Sequence, residues 1–176
     1  MSGHNKWSKI KHKKAATDAQ KSKIFGKVAR LIAVESKKAG GDVNSPGLRL
    51  AIDKAKEVNM PKDNIDRAVA KGTSADTAAL ESVVYEAYGP GGCALIITGL
   101  TDSRNRTAAE VKHTLSKNGL ELAAQGSALW AFEKSGDEYT AKSTVALSET
   151  DADKLENLIE AFGELDDIQD VFTNAE

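Results

Sequence analysis

The stretch TSADTAAL, residues 73–80, decides the fold because two different sequence patterns meet there. It is made of small and polar residues, and the sign of the charge changes across it. Before it, apolar residues recur at helical spacing, whereas after it they form short runs typical of strands. We therefore predict a linker at residues 73–80 that joins one domain at 1–72 to a second at 81–176.

The charge is divided unequally between these two predicted domains. Residues 1–72 hold 17 Lys and Arg against 7 Asp and Glu, whereas the remaining 104 residues hold 7 against 19. The formal net charge of −2 conceals this division. At physiological salt, charges farther apart than a Debye length of about 8 Å are largely screened from each other. A basic domain of this kind favours a polyanionic partner.

The N-terminal half predicts three helices behind a cationic tail. Gly40-Gly41 ends the first helix, Ser45-Pro46 marks the start of the second, and Pro61 marks the start of the third. The apolar residues on one face of the first helix are Ile24, Phe25, Val28, Leu31 and Ile32. Since each helix is short and amphipathic, the three together predict a small helical bundle.

The C-terminal half predicts a two-layer α/β sandwich with a mostly antiparallel sheet. The predicted elements are, in order, strands at 83–88 and 93–97, a helix at 103–119, strands at 120–124 and 128–132, a hairpin through Tyr139, a helix over 150–162 and a strand at 168–173. The order of strands and helices is typical of an α+β fold. The whole chain is therefore expected to be α+β, with an N-terminal three-helix bundle.

The candidate nucleic-acid-binding residues form two groups. In the tail and the first helix, cations can neutralise phosphates and aromatic rings can stack on unpaired bases. These residues are Lys6, Trp7, Lys9, Lys11, His12, Lys13, Lys14, Lys21, Lys23, Lys27 and Arg30. The second group is Arg104, Asn105 and Arg106 at the predicted start of a helix, where backbone N–H groups favour an anion. From spacing alone, a structural pairing of the two arginines with local acids is equally open.

No catalytic or metal-binding pattern is present in the sequence. The three histidines are far apart, and no pair of Cys or His has metal-ligand spacing. The single Cys93 indicates a small buried residue and a reducing compartment. Acid pairs such as Asp166-Asp167 are interpreted as a solvated face. We therefore expect no enzymatic activity, no cofactor and no metal.

No targeting or membrane segment is predicted from the sequence. The N-terminal residues carry charge but no apolar h-region, and no apolar run approaches the roughly 20 residues that a membrane span needs. We therefore expect a cytoplasmic protein without a membrane partner.

Three segments of the chain resemble the YebC family. They are GHNKWSKIKHKKAA at 3–16, YEAYGPGG at 85–92 and DSRNRT at 102–107. The resemblance runs from residue 2 to about residue 133 and resumes at 150–176. It implies a three-lobed architecture whose third α/β domain is inserted in the second. A short arm at 133–147 stands where that insertion would lie, so we interpret the chain as a short form that lacks it.

The resemblance implies a regulator of gene expression, for which two interpretations exist. Family members are often described as probable transcriptional regulators that bind duplex DNA. Others act on ribosomes and relieve stalls at proline-rich stretches, and a mitochondrial relative activates the synthesis of cytochrome oxidase subunit I. The resemblance also favours a functional role for the Arg104 and Arg106 segment.

The residues themselves favour RNA over duplex DNA. An arm rich in Lys, Trp and His suits unstacked RNA. The nearest candidate for a base-reading helix is the one at 61–71, through Lys62, Asn64 and Arg67, and it does not make a convincing helix-turn-helix. We therefore expect a monomer that binds ribosomal RNA on the ribosome, with duplex DNA as the alternative target.

A third interpretation comes from the acidic half of the chain. From residue 133 onward there are 13 acids and 3 lysines, so this part could dock a basic protein partner. The simpler reading is that these charges provide solubility and keep the domain away from RNA.

Overall fold

A computed structural model of the chain describes residues 17–75 and 79–176. The chain divides into two compact units, one over Ala16–Glu81 and another whose described residues begin at Ser82. The first unit is helical and the second combines helices with strands. The α+β class, with a three-helix bundle and an α/β sandwich, is thereby confirmed.

The helical unit consists of α1 (Asp18–Ala39), α2 (Pro46–Glu57) and α3 (Lys62–Thr73). Helix α1 begins with a capping box, in which the Thr17 N–H donates to the Gln20 side chain at 2.9 Å and the Gln20 N–H donates back to the Thr17 hydroxyl. It ends where predicted, at Gly40, whose φ of 59° lies in the left-handed region that glycine tolerates.

The predicted apolar face of α1 packs into the core of this unit. Its fully buried residues include Ile32, and the core is formed by Ile32, Leu48, Ala51, Ala55, Met60, Ile65 and Ala68. Helices α1 and α3 approach closely at Gly72, where a Cβ atom would lie 2.4 Å from the Ala33 carbonyl oxygen. Beside it, the Ser36 hydroxyl donates to the Val69 carbonyl at 2.7 Å. Any larger residue at position 72 would force these helices apart.

The second unit contains a sheet of three strands covered by two helices. The strands β1 (Glu81–Tyr88), β2 (Ala94–Thr101) and β5 (Ile168–Thr173) are ordered β1-β2-β5, and β2 pairs antiparallel with β5. Helices α4 (Arg104–Lys117) and α5 (Glu149–Gly163) pack on one face of the sheet. The core between them is formed by Ala87, Cys93, Leu95, Ile97, Val111, Leu115, Leu155, Leu158, Ile159, Phe162, Ile168 and Ala175.

The predicted hairpin through Tyr139 is present and packs on the other face of the sheet. It consists of β3 (Phe132–Ser135) and β4 (Glu138–Ala141), paired antiparallel. The ring of Tyr139 contacts those of Phe132 and Phe172, with centroids 6.4 and 5.3 Å apart. The hairpin is thus anchored by aromatic packing to the last strand.

The strands predicted at 120–124 and 128–132 are wrong. In the first segment only Leu122 makes an isolated bridge, to Ala87 of β1. The second is occupied mostly by a short 3-10 turn at Leu129–Ala131, and only Phe132 enters a strand.

For the segment at 128–132 the physical reason is the carboxylate of Glu86 on β1, which is only 4% exposed. It accepts backbone N–H groups from Gly126 at 2.5 Å, Ala128 at 2.7 Å and Leu129 at 3.0 Å. These are donors that a strand would have given to a neighbouring strand. The side chain of Glu86 therefore takes the place of the hydrogen bonds that a neighbouring strand would make, and it holds the segment as a loop.

Candidate nucleic-acid interface

Seven of the predicted binding residues belong to the N-terminal tail and lie outside the described residues. They are Lys6, Trp7, Lys9, Lys11, His12, Lys13 and Lys14. Their role stays a prediction from the sequence.

The other four predicted cations of the basic half lie on α1. Lys23, Lys27 and Arg30 are spaced i, i+4 and i+7, so they share one stripe of the helix. This stripe is on the side opposite the buried Ile32. Lys21 is exposed in the first turn but falls away from the stripe. The structure therefore brings three of the four side chains to one face.

Helix α3 is the nearest candidate for reading bases. Its polar side chains make hydrogen bonds to other residues of the same helix. The Lys62 ammonium donates to Asp66 at 3.0 Å, and this hydrogen bond raises the pKa of Lys62. The Arg67 guanidinium donates to the side chain of Asn64 and to the Asp63 carbonyl. All three candidate residues, Lys62, Asn64 and Arg67, are thus engaged locally rather than presented together.

The second candidate segment is the turn that leads from the central strand β2 into α4. Ser103 caps α4 as predicted, because its hydroxyl accepts the Arg106 N–H at 3.4 Å. The Ser103 N–H in turn donates to the hydroxyl of Thr101, the last residue of β2, at 2.8 Å. The turn is therefore fixed at both ends, and Arg104, Asn105 and Arg106 form the first turn of the helix.

The carboxylate of Asp167 lies beneath this turn and is only 3% exposed. Its Oδ2 accepts the hydroxyls of Thr101 at 3.2 Å and Thr107 at 2.9 Å. The same oxygen accepts the Arg106 guanidinium at 2.7 Å through one terminal nitrogen and at 3.3 Å through Nε. Because a buried charge is costly without partners, this set of donors explains why an acid is tolerated there.

The arginines of the turn have different surroundings. The Arg106 guanidinium is shared between Asp167 and Asp102, each at 2.7 Å, and these hydrogen bonds raise its pKa above the ordinary value. Arg104 and Asn105 are exposed. The charge of Arg104 is felt at Tyr85, where it opposes the upward shift of the pKa that burial causes. The structure thus brings the three predicted residues together, but it gives Arg106 carboxylate partners.

Asp167 was missed because its sequence neighbours misled the interpretation. The sequence predicts a solvated face at Asp166-Asp167, and this prediction is wrong for Asp167, which is buried, whereas Asp166 is exposed. The buried acid lies 61 residues from Arg106 along the chain, so no local pattern could reveal their contact. Its position directly before the strand at 168–173 was the only signal available.

We expect Arg106→Ala and Arg104→Ala to separate stability from binding. Arg106→Ala should lower the melting temperature by several degrees, because it removes the charged partner of a buried carboxylate. Arg104→Ala should change the melting temperature by no more than about 1 °C, as is usual at exposed positions. It should weaken RNA binding about fourfold at 0.15 M salt, the effect of one lost phosphate contact. Thermal denaturation and fluorescence anisotropy measure the two effects.

Arg106→Lys is the matched control for this pair. It keeps the positive charge but loses the planar fork, so stability should fall while RNA affinity is retained. Equal melting temperatures for Arg104→Ala and Arg106→Ala would contradict the assignment.

Within residues 17–75 and 79–176, no three His, Cys, Asp or Glu side chains form a group that could hold a metal ion. Across the same residues, no helix has the length and the apolar content to cross a membrane. The thiol of Cys93 is buried, and burial raises its pKa, which disfavours the reactive thiolate.

Two family models match the chain, one for each half. Residues 5–75 match the TACO1/YebC protein N-terminal domain, and residues 80–137 match the TACO1/YebC second and third domain. The second match ends between β3 and β4 of the hairpin.

Relatives of known sequence and structure agree with these matches. A probable transcriptional regulatory protein of Fervidobacterium nodosum is 39% identical over 99% of this chain and 93% of its own length. That alignment has 235 positions, 59 more than this chain's 176 residues, so the relative holds residues without a counterpart here. One of Halothermothrix orenii is 47% identical over 92% of this chain, which spans only 62% of that relative. The crystal structure of a conserved hypothetical protein from Aquifex aeolicus is 32% identical, has a TM-score of 0.82, and is matched over 97% of this chain and 96% of its own.

Proposed function

This chain belongs to the TACO1/YebC protein family, and on that premise we propose that it is a non-enzymatic, nucleic-acid-binding regulator of gene expression. In its specific form, the proposal is a monomeric cytoplasmic translation factor that binds ribosomal RNA and relieves stalling at proline-rich stretches. The alternative is a transcriptional regulator that binds duplex DNA.

The observation that carries the proposal is the placement of cations in the basic half. On helix α1, the half-buried Lys23, Lys27 and Arg30 lie along one stripe, directly after a tail that holds five further lysines. Such a surface can contact successive phosphates of one strand without reading its sequence. The other half of the chain is strongly acidic, so outside the turn that carries Arg104 it should repel the same ligand.

The choice of RNA over duplex DNA is supported by helix α3. A base-reading helix must present free donors and acceptors to the edges of the bases. On α3 the side chains of Asn64 and Arg67 are hydrogen-bonded to each other, and Lys62 is paired with Asp66. The names of the relatives, probable transcriptional regulatory proteins, favour the DNA alternative.

We expect the stripe to set the salt dependence of RNA binding. The variant Lys23→Gln/Lys27→Gln/Arg30→Gln should reduce the log–log slope of affinity against salt by about 2, since each phosphate contact with a single strand contributes about 0.7. At 0.15 M salt the affinity should fall by about fiftyfold. Anisotropy titrations with a labelled single-stranded RNA at several salt concentrations measure both quantities.

The acidic half offers a matched control for this variant. Lys112→Gln/Lys117→Gln/Lys154→Gln removes three lysines from α4 and α5, so the net charge changes by the same amount. It should leave the slope unchanged. If both triple variants lowered the slope equally, bulk charge rather than the stripe would explain the binding.

Ribosome binding and duplex binding can be distinguished with the same proteins. The proposal predicts that the chain co-sediments with ribosomes and that the α1 variant does not. Translation of a reporter with a proline-rich stretch should pause less when the chain is added. Tighter binding to duplex DNA than to RNA, with no ribosome association, would favour the transcriptional alternative.

A further inference from the structure

Tyr88 and Trp130 are two exposed aromatic side chains of the second unit that lie beside each other. Neither takes part in the interface proposed above. Trp130 is 58% exposed and Tyr88 is 38% exposed. Most large aromatic residues bury far more of their surface, and contiguous exposed apolar surface commonly marks an interaction site. We refer to these two residues as the aromatic pair.

Hydrogen bonds fix the two rings relative to each other. The Trp130 indole N–H donates to the Tyr88 hydroxyl at 3.0 Å, and that hydroxyl donates to the Ser127 carbonyl. The polar tips of both rings are therefore satisfied by the protein itself. The exposed area that remains is mainly ring surface, which suits stacking rather than hydrogen bonding.

The backbone beneath the aromatic pair is also fixed. Trp130 belongs to the 3-10 turn whose preceding loop is held by the three N–H groups that Glu86 accepts. Tyr88 lies two residues after Glu86 on β1, so both project from the same face of the strand. Val84 projects from that face too and is 47% exposed. A rigid aromatic surface of this kind loses little entropy when it binds a partner.

The charge around the aromatic pair indicates the chemistry of its partner. Exposed acids on the neighbouring segments are Glu121, Glu133, Asp137 and Glu138, against the two lysines Lys134 and Lys142. The unit as a whole, residues 82–176, holds 17 acids and 7 Lys and Arg. An acidic field attracts a cationic ligand and repels a polyanion such as RNA.

We propose that the aromatic pair is a docking site for a basic segment of a partner protein, in which an arginine side chain stacks on Trp130. A guanidinium stacks on an aromatic face and is attracted by its π electrons, most strongly by those of tryptophan. The flanking carboxylates add long-range attraction for the rest of the segment. This proposal does not depend on the target nucleic acid of the basic half.

The test uses the full chain and a fluorescently labelled peptide of alternating Arg and Gly residues. The parent protein should bind it more tightly than the corresponding Lys-Gly peptide, since lysine cannot stack as a plane. Trp130→Ala should weaken the Arg-Gly peptide about tenfold, the size of effect typical of a central aromatic in an interface. Tyr88→Phe keeps the ring but releases Trp130, and should weaken binding by about threefold.

Leu50→Ala serves as the control, because Leu50 is a similarly exposed apolar residue, at 52%, on the helical unit. It should leave peptide affinity unchanged. The proposal is overturned if Trp130→Ala binds the Arg-Gly peptide as tightly as the parent does. It is equally overturned if Trp130→Ala loses affinity for labelled oligouridylate and not for the peptide, since the rings would then stack on bases.

Discussion

Removal of residues 1–14 is expected to weaken the binding of single-stranded RNA by about two to three orders of magnitude at 0.15 M salt. The segment holds five lysines, Lys6, Lys9, Lys11, Lys13 and Lys14, together with Trp7 and His12. If all five lysines contact phosphates, their loss should flatten the log–log salt slope by up to about 3.5. Anisotropy titrations across a range of salt concentrations measure the affinity and the slope together.

The matched control keeps the charge and changes the side chain. Replacing the five lysines by arginine should preserve the salt slope. Trp7→Ala with His12→Ala should lower the affinity but leave the salt slope unchanged, because stacking releases few counterions. A truncated protein that bound RNA as tightly as the full chain, with the same salt response, would place the binding surface elsewhere.

Glu86→Ala is expected to destabilise the second unit by about 3–5 kcal/mol, a range typical of breaking a buried charged network. The change leaves three backbone N–H groups without their acceptor: that of Ala128, which is buried, and those of Gly126 and Leu129, which are partly buried. The loop that carries Trp130 should then lose its fixed position. Urea unfolding followed by Trp130 fluorescence, in a Trp7→Phe background where Trp130 is the sole tryptophan, reports on this unit directly.

Two further variants calibrate this result. Glu86→Gln retains one acceptor oxygen and should cost an intermediate amount. Glu133→Ala removes an exposed acid nearby and should change the unfolding free energy by no more than about 0.5 kcal/mol. An unfolding midpoint of Glu86→Ala equal to that of the parent would show that other contacts hold the loop.

Local patterns predicted those parts of the fold that local interactions determine. The apolar spacing around Ile32 and the glycine at Gly40 determined helix α1, and the hydroxyl of Ser103 determined the start of α4. Each of these signals acts within a few residues of the element that it specifies. These elements could therefore be predicted from the local sequence pattern alone.

The wrong predictions share one cause, which is contacts between residues that are distant in sequence. The segment at 128–132 has apolar residues typical of a strand, but Glu86, more than 40 residues away, takes the N–H groups that a strand would use. Asp167 is buried because Thr101, Thr107 and Arg106 donate to it from the other end of the second unit's sequence. In both cases the environment of a carboxylate is set by tertiary structure. The role of the arginines at the α4 turn could not be resolved from sequence for the same reason.

The pairing of β5 with β2 also sets an order of assembly during synthesis. It joins Leu95 to Thr173, so the central strand gains its second neighbour only after residue 173 has been made. Contacts this far apart in sequence are slow to form because a long loop must close first. The core of the helical unit, by contrast, closes within residues 17–75. On a growing chain the helical unit can therefore fold while the second unit still lacks one of its central strand's neighbours.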